Sequence, residues 1–268
     1  MKKIISYSLY NNRPKDVINA VINCFLISKI YPGWIARFYI DDTIPPCIEA
    51  LLRTFSYVEV VAMPRHKASE ASLWRFLPAS EPEYDTVMIS RDADSWVSVR
   101  EKVCVDEWLA SKKNFHIIRD HCYHSKKIMA GMWGVRNSIL SKMNEEVETF
   151  CKNGTDDQGF LADRIYPNIT HDLITHYGNP QYNNQGQLIN GYFNDSCIPI
   201  PSYQEWDEPV PGLSFREANK LNAFHCAHCN KTHDVLIGGI TEHIPPTALE
   251  VVRQYAKEKG IVLDCPGF

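Results

Sequence analysis

Apolar positions along this chain come in short blocks whose period alternates between two and about three and a half. Residues 3–9 read as a strand, closed by the polar turn Tyr10-Asn11-Asn12-Arg13-Pro14. Over residues 15–29 the period lengthens, with Val17, Val21, Phe25 and Ile30 recurring on one face, which predicts a helix. A second strand is predicted at 34–40, ending in Asp41-Asp42. A helix opened by Pro45-Pro46 follows at 47–55, then a third strand at 57–62 and a short helix at 70–77. Strands alternating with helices predict an α/β fold with a mostly parallel sheet, whose ligands sit beyond the carboxyl ends of the strands. That places Ser8, Tyr10 and Asp41 along one rim.

The stretch that follows organises the rest. Asp85-Thr86-Val87-Met88-Ile89-Ser90 has the composition of a buried strand, and it runs into Arg91-Asp92-Ala93-Asp94-Ser95. Two carboxylates one residue apart at the end of a buried strand cannot both be packed away as bare charges. Their hard oxygens suit Mg²⁺ or Mn²⁺ with positions left open for phosphates. On its own an Asp-x-Asp pair is equally a turn former; the strand before it and the helix after it favour the metal. That helix is predicted from the capping-box spacing Ser98-Val99-Arg100-Glu101 and runs to about Ser111.

Residues 115–118 form another strand, ending in Arg119-Asp120-His121. Residues 127–135 are an apolar run with Gly131 and Gly134 inside it, and Trp133 between them reads equally as core or as a platform for a sugar ring. Thr155-Asp156-Asp157-Gln158 repeats the capping-box spacing and opens a helix ending at Pro167. From Thr170 the signal thins: 179–190 and 199–212 read as loop, and 247–259 as an amphipathic helix.

Composition narrows the classes. A 268-residue chain with 44% hydrophobic content can bury a full core, and its net charge of −4 offers no basic field for nucleic acid. No apolar run is long enough for a transmembrane segment, and the polar Ser6, Ser8, Asn11 and Asn12 interrupt the N-terminal run too early for a signal peptide. Nine cysteines without a framework fit reduced thiols, and the expectation is a cytoplasmic protein. Cys226-x-x-Cys229 with His225, His228 and His233 is half of a zinc site; lacking a second pair, it reads as free thiols and a satisfied histidine. The chain has no Gly-x-Gly-x-x-Gly and no glycine-rich phosphate loop, so a diphosphate would be held by metal.

Taken as an ordered series, these residues resemble nucleotide-sugar glycosyltransferases of the GT-A fold, in a group found in bacteria and in large algal viruses where such enzymes build capsid glycans. The series is Trp74-Arg75-Phe76-Leu77, Arg91-Asp92-Ala93-Asp94-Ser95, Arg100-Glu101, Glu107-Trp108-Leu109 and Phe115-His116-Ile117-Ile118-Arg119-Asp120-His121. It continues with His124, Gly131-Met132-Trp133-Gly134 and Asp157-Gln158-x-Phe160-Leu161. It covers roughly residues 4–167, and Cys122 stands where the family pattern has a proline.

The resemblance implies one GT-A-like domain over 1–268, with a nucleotide-sugar half to 125 and an acceptor half from 126. It implies a metal-dependent transferase with a UDP-sugar or near relative as donor and a glycan or other hydroxyl as acceptor. Asp92 and Asp94 would bind Mn²⁺ or Mg²⁺ and the donor's ribose-diphosphate, with Asp94 favoured as the direct ligand. Ser8, Tyr10 and Asp41 would meet the nucleoside, and Arg75 and Arg91 belong to the same donor set. Arg119, Asp120, His121, Gly131, Trp133 and Gln158 would line the sugar and acceptor pocket. Asp157 is the candidate base, if the reaction inverts the sugar. His225, His228, His233 and His243 are candidates for a further metal ligand. Two other classes use the same features: a phosphatase of the haloacid dehalogenase type, with the first Asp as nucleophile, and an inactive sugar-binding module that keeps the fold.

Overall fold

Strand blocks separated by helices pair here side by side in a single large sheet. The computed structural model describes residues 1–65, 67–81, 85–120, 126–136, 139–151, 156–178, 197–201, 210–214, 218, 225–226, 231–232, 237 and 244–268. The strands are β1 (Lys2–Leu9), β2 (Ile35–Ile40), β3 (Val58–Ala62), β4 (Thr86–Asp92), β5 (Phe115–Arg119), β6 (Trp133–Arg136), β7 (Leu173–Tyr177) and β8 (Cys197–Pro199). They form one eight-stranded sheet in the order β3-β2-β1-β4-β6-β5-β7-β8. Every pairing is parallel except those of β6, which runs antiparallel between β4 and β5. His225–Cys226 and Lys231–Thr232 make a separate two-stranded ladder. The expected mixed α/β fold, a mostly parallel sheet with flanking helices, is therefore present.

Parallel neighbours need crossovers, and helices supply them. Helix α1 (Pro14–Ile30) leads from β1 to β2, and α2 (Pro46–Leu52) from β2 to β3. Between β3 and β4 the chain makes one short turn, α3 (Ala68–Ala71), and then a 3₁₀ segment, Ser72–Ser80, where a single short helix was predicted. Helix α4 (Val99–Ala110) follows β4. Side chains alternate across each strand, so both faces are covered by apolar layers. Ile5, Tyr7 and Leu9 of β1, with Val87 and Ile89 of β4, pack into one core with α1, α2, α4 and the last helix, Pro246–Glu258. Met88 points the other way, into a second core with Leu73, Phe76, Ile117, Trp133, Phe160 and Leu161.

Four further stretches depart from the sequence prediction. The 127–135 run is strand only from Trp133, and Gly134 lies in that strand because a Cβ there would sit 2.9 Å from Ile89 Cγ2 and 3.0 Å from Trp108 Cζ3. The helix predicted from Thr155 is capped instead by Asp156, whose Oδ1 accepts the Gly159 N–H at 2.6 Å. It runs as α5 (Asp157–Phe160), a π-turn at Leu161–Ile165, a short helix at Tyr166–Ile169 and a 3₁₀ turn at Thr170–Asp172. Pro167 falls in the first turn of its short helix, where a missing N–H costs nothing, so the segment does not stop there. Finally, β7 lies where no strand was predicted, and Met143–Cys151 is a further unpredicted helix.

β7 pairs with β5 and brings two buried histidines together. His116 Nε2 lies 2.8 Å from His176 Nδ1, and His176 Nε2 lies 2.9 Å from Glu107 Oε2. The His116 ring stacks on Trp108 with centroids 5.2 Å apart. Burial, and then the charge of His176, hold the His116 pKa well below the ordinary value, and burial lowers that of His176. The folded-state pKa values are thus depressed, so this stability is present above the unfolded value near 6.5 and is lost as the pH falls below it. We expect the melting temperature to drop between about pH 8 and about pH 5, and His116→Phe to make that drop shallower. A pH-melting profile on both proteins checks this; parallel profiles would contradict it.

Candidate functional site

β1 and β4 run parallel in register, with Ser8 opposite Asp92, so both strands deliver their last residues to the same edge. The first turn of α1 leaves that edge too. Between them lies a cleft of about 150 Å³ lined by Ser8, Leu9, Tyr10, Arg13, Asp16, Arg75, Asp92, Ala93, Asp94 and Asp157. Five of the residues singled out in the sequence, Ser8, Tyr10, Arg75, Asp92 and Asp94, meet there, and so does the candidate base Asp157. Asp16 was not foreseen. It reads as an ordinary helix-start acid, and only the position of α1 after β1, at the carboxyl edge, signals its place.

The acidic turn is held from below by α1. Asn23 Nδ2 donates to the carbonyls of Ala93 and Ser95 at 3.3 and 2.9 Å, and Asn23 Oδ1 accepts the Val97 N–H at 3.0 Å. Asn19 Oδ1 accepts the Trp96 Nε1–H at 2.7 Å. Asn23 thus satisfies backbone groups of Ala93, Ser95 and Val97 while Asn19 anchors the Trp96 indole, and together they hold the turn that carries Asp94. Asp92, placed in the turn by the sequence pattern, is the last residue of β4. Gly131 is glycine because of it: a Cβ there would overlap Asp92 Oδ2.

Arg75 is delivered by the 3₁₀ segment, which Ser8 anchors. Ser8 Oγ accepts the Arg75 N–H at 3.0 Å and donates to the Ser72 carbonyl at 3.3 Å, so this hydroxyl is engaged in both directions. The Arg75 guanidinium then bridges two carboxylates, Asp92 through Nη1 and Asp157 through Nη2, the latter at 2.6 Å. Burial alone would lower its pKa, but Asp92 and Asp157 hold it above the ordinary arginine value. Lys15 Nζ reaches Asp94 Oδ2 at 3.4 Å, and Arg13 Nε reaches Asp16 Oδ2 at 2.6 Å. Burial, followed by the charges of Asp92 and Asp16, raises the Asp94 pKa; burial likewise raises that of Asp16. Four carboxylates thus face three cations, and Asp16 Oδ1 is buried without a hydrogen-bond partner among the described residues.

This donor set fits a hard divalent cation. The oxygens are carboxylates, the local charge is negative, and one buried carboxylate oxygen has no partner. Among the described residues no three His, Cys, Asp or Glu side chains form a ready-made cage. Mg²⁺ characteristically takes one or two carboxylates and completes its shell with water and phosphate, for which Asp92 and Asp94 suffice.

The remaining predicted residues are placed elsewhere. Arg91 is corrected from a donor contact to a core residue: it points to the face opposite Asp92, as strand alternation demands. It is 2% exposed, with Nε on Glu101 Oε1 at 2.8 Å, and Tyr31 donates to the same oxygen at 2.7 Å. Glu101 is therefore spent on Arg91, and only the Ser98 half of the predicted capping box is made. Trp133 is corrected from an even choice to core: it is 1% exposed and packs edge-on to Phe76. Asp41 reaches the same edge, but its Oδ1 accepts from the Thr43 backbone at 3.0 Å and from the Thr43 hydroxyl.

Arg119 and Asp120 are buried beyond the cleft lining. Arg119 donates to the Lys126 and Lys127 carbonyls and to Tyr177 Oη. Asp120 lies 3.4 Å from Arg100 Nη2 and accepts the Ile237 N–H at 2.7 Å, and burial pushes its pKa up to about 6. Gln158 is half-buried beside Asp157, its Oε1 without a partner among the described residues. His121 and the side chains of His225, His228, His233 and His243 lie outside the described residues, as does the Cys226-x-x-Cys229 pair. Among the described residues no helix is long and apolar enough to cross a membrane.

No protein-family model matches the chain, and no curated protein matches it. Several solved structures are similar to it. One is a glycosyltransferase involved in the glycosylation of the major capsid of PBCV-1, at 14% identity over 66% of this chain and 82% of that one, with a TM-score of 0.42. Another is 4-diphosphocytidyl-2C-methyl-D-erythritol synthase from Anaerococcus prevotii, at 12% identity over 72% and 91%, with a TM-score of 0.44. A third is the galactosyltransferase LgtC in complex with donor and acceptor sugar analogs, at 12% identity over 66% and 73%, with a TM-score of 0.41. At these identities and TM-scores none of them assigns an activity to this chain.

Proposed function

We propose that the chain transfers a sugar from a nucleoside-diphosphate sugar, of the UDP type, to a hydroxyl of a glycan or similar acceptor, with Mg²⁺ or Mn²⁺ at the donor. The observation that carries this reading is the charge of the cleft: the carboxylates of Asp16, Asp92, Asp94 and Asp157 outnumber Arg13, Lys15 and Arg75 around one small cavity at the carboxyl edge of a parallel sheet. A diphosphate adds negative charge to a site that is already negative, so it enters with a cation or not at all. In this reading Asp92 and Asp94 hold the metal, which when bound offsets the diphosphate charge and stabilises the leaving group.

The chain's own residues do the rest. Tyr10, which packs edge-on to Trp74, offers a wall for the nucleoside. Arg75 stands between the donor carboxylates and Asp157, where its guanidinium can turn to a phosphate. Gly131 keeps room beside Asp92, and the Gln158 amide oxygen, without a partner among the described residues, is the one assigned to a sugar hydroxyl. Asp157 takes the acceptor proton if the sugar is inverted. Residues to 125 then serve the donor and those from 126 the acceptor, with Asp157 reaching across to the donor cleft.

Calorimetry tests the reading. UDP is expected to bind the wild type with Mn²⁺ and at least about tenfold more weakly without it, and Asp94→Asn is expected to lose that gain. Equal affinity in all four measurements would end the proposal. Release of inorganic phosphate from a sugar phosphate would favour a phosphatase with Asp92 as nucleophile. Tight donor binding with no turnover on any acceptor would favour an inactive sugar-binding module.

A further inference from the structure

Two thiols far apart in sequence meet at the edge of the larger core. Cys47, in the first turn of α2, and Cys265, beyond the last helix, place their sulfurs 3.1 Å apart across 218 residues. Both are free thiols, and each is 8% exposed. Cys24 and Cys104, also free, are fully buried, and Cys24 is occupied by the Ala20 carbonyl at 3.3 Å. The segment that carries Cys265 is tied to the last helix by the Ile261 N–H on the Ala256 carbonyl at 2.9 Å and otherwise packs on the core. Ile261, Leu263 and Phe268 lie partly buried on the core, and a Cβ at Gly267 would come within 2.7 Å of Pro14 Cβ at the start of α1.

We infer that Cys47 and Cys265 form a disulfide when the protein meets a hydroperoxide, and that this bond staples the segment after the last helix to the start of α2. A disulfide needs the sulfurs at about 2.05 Å with the two Cα atoms about 5.5–6 Å apart. Closing from 3.1 Å therefore takes about an ångström of side-chain movement. The chemistry balances with hydrogen peroxide as the oxidant. One thiolate attacks a peroxide oxygen, breaks the O–O bond, releases hydroxide and becomes a sulfenic acid. The second thiolate attacks that sulfur, forms the S–S bond and expels the sulfenic hydroxyl as hydroxide. The two thiol protons and the two hydroxides leave as two waters, and two electrons pass from sulfur to peroxide. Burial and the hydrogen bond from Cys47 push the Cys265 thiol up to about 12, so the reaction quickens as the pH rises.

The consequence reaches the cleft edge. Pro14 and Ile18, on which the stapled segment rests, flank Lys15 and Asp16 in the first turns of α1. A bond closing so long a loop acts mainly on the unfolded chain and raises the melting temperature.

The test uses the full chain treated with a small excess of hydrogen peroxide, alkylated, digested without reductant and mapped by mass spectrometry. The expected result is a peptide pair joining Cys47 to Cys265 that dithiothreitol separates. With it should come a rise in melting temperature of at least about 5 °C that reductant reverses. Cys265→Ser should lose both effects while melting like the reduced wild type. The inference is overturned if both thiols stay open to alkylation while other cysteines oxidise. It is equally overturned if they reach sulfinic acid unlinked, or if either pairs with a different cysteine. The wild-type map decides the matter even if the variant folds poorly.

Discussion

Replacing Trp133 with alanine is expected to cost about 3–5 kcal/mol of stability, the range for deleting a fully buried large aromatic. In a chain of this size that lowers the melting temperature by on the order of 10 °C. The indole is 1% exposed and lies edge-on to Phe76, with centroids 5.4 Å apart. Phe76 in turn stacks on Phe160 at 6.0 Å, so the ring holds together β6, the 3₁₀ segment and α5. Its Nε1 has no partner among the described residues, so the loss is one of packing rather than of a hydrogen bond. The platform reading makes the opposite forecast, unchanged melting with a raised KM for the acceptor. Calorimetric melts of the wild type, Trp133→Ala and Trp133→Phe separate the two, with the phenylalanine variant expected to fall between the others. A shift within about 1 °C for the alanine variant would show that the core assignment is wrong.

That correction shows where the sequence was legible and where it was not. The glycines flanking Trp133 left core and sugar platform equally open. In the fold Gly131 clears Asp92, and Gly134 clears Ile89 and Trp108, so each glycine makes room for a packed neighbour rather than for a ligand on the indole. Local pattern carries the parallel half of the sheet well, because β1, β2 and β4 are short blocks rich in Ile, Val, Phe and Tyr that end in polar turns. It also carries the position of Asp92 and Asp94, since a buried strand ending in two acids has few other uses. Arg91 was misjudged although strand alternation alone sends it away from Asp92 and toward Glu101. β7 escaped because Leu173-Ile174-Thr175-His176-Tyr177 reads as half polar until His116 is there to receive His176. Asp16, Asn19 and Asn23 could not be picked out at all. Their roles depend on α1 lying directly beneath the acidic turn, a tertiary fact that no window of sequence contains.

Asp157→Asn is expected to cut kcat at least about a hundredfold, the lower end of a general-base contribution, while leaving UDP affinity and melting close to the wild type. Helix α5 is capped by Asp156, so its start does not rest on the neighbouring charge of Asp157. What Asp157 does in the fold is accept from Arg75 Nη2 at 2.6 Å, and an asparagine keeps an oxygen for that bond. The same guanidinium holds Asp92, so one cation ties the donor carboxylates to the acceptor side. The Asp157 oxygen that faces Arg75 is already engaged by the guanidinium, so it is not open to an acceptor hydroxyl. For Asp157 to work as a base Arg75 must turn away, and donor phosphates are the obvious competitor for it. Two variants follow from this. Asp157→Asn removes the proton acceptor and keeps the bridge; Arg75→Met removes the bridge and leaves Asp92 and Asp157 facing each other uncompensated. The second should weaken donor binding and cost about 1–3 kcal/mol, less than for a fully buried ion pair because the Asp92 side chain is 39% exposed. Steady-state kinetics, UDP titration and melting on both variants give the separation. If Asp157→Asn keeps turnover within a few-fold while Arg75→Met loses donor binding, Asp157 is an anchor for Arg75 and the acceptor's proton goes elsewhere.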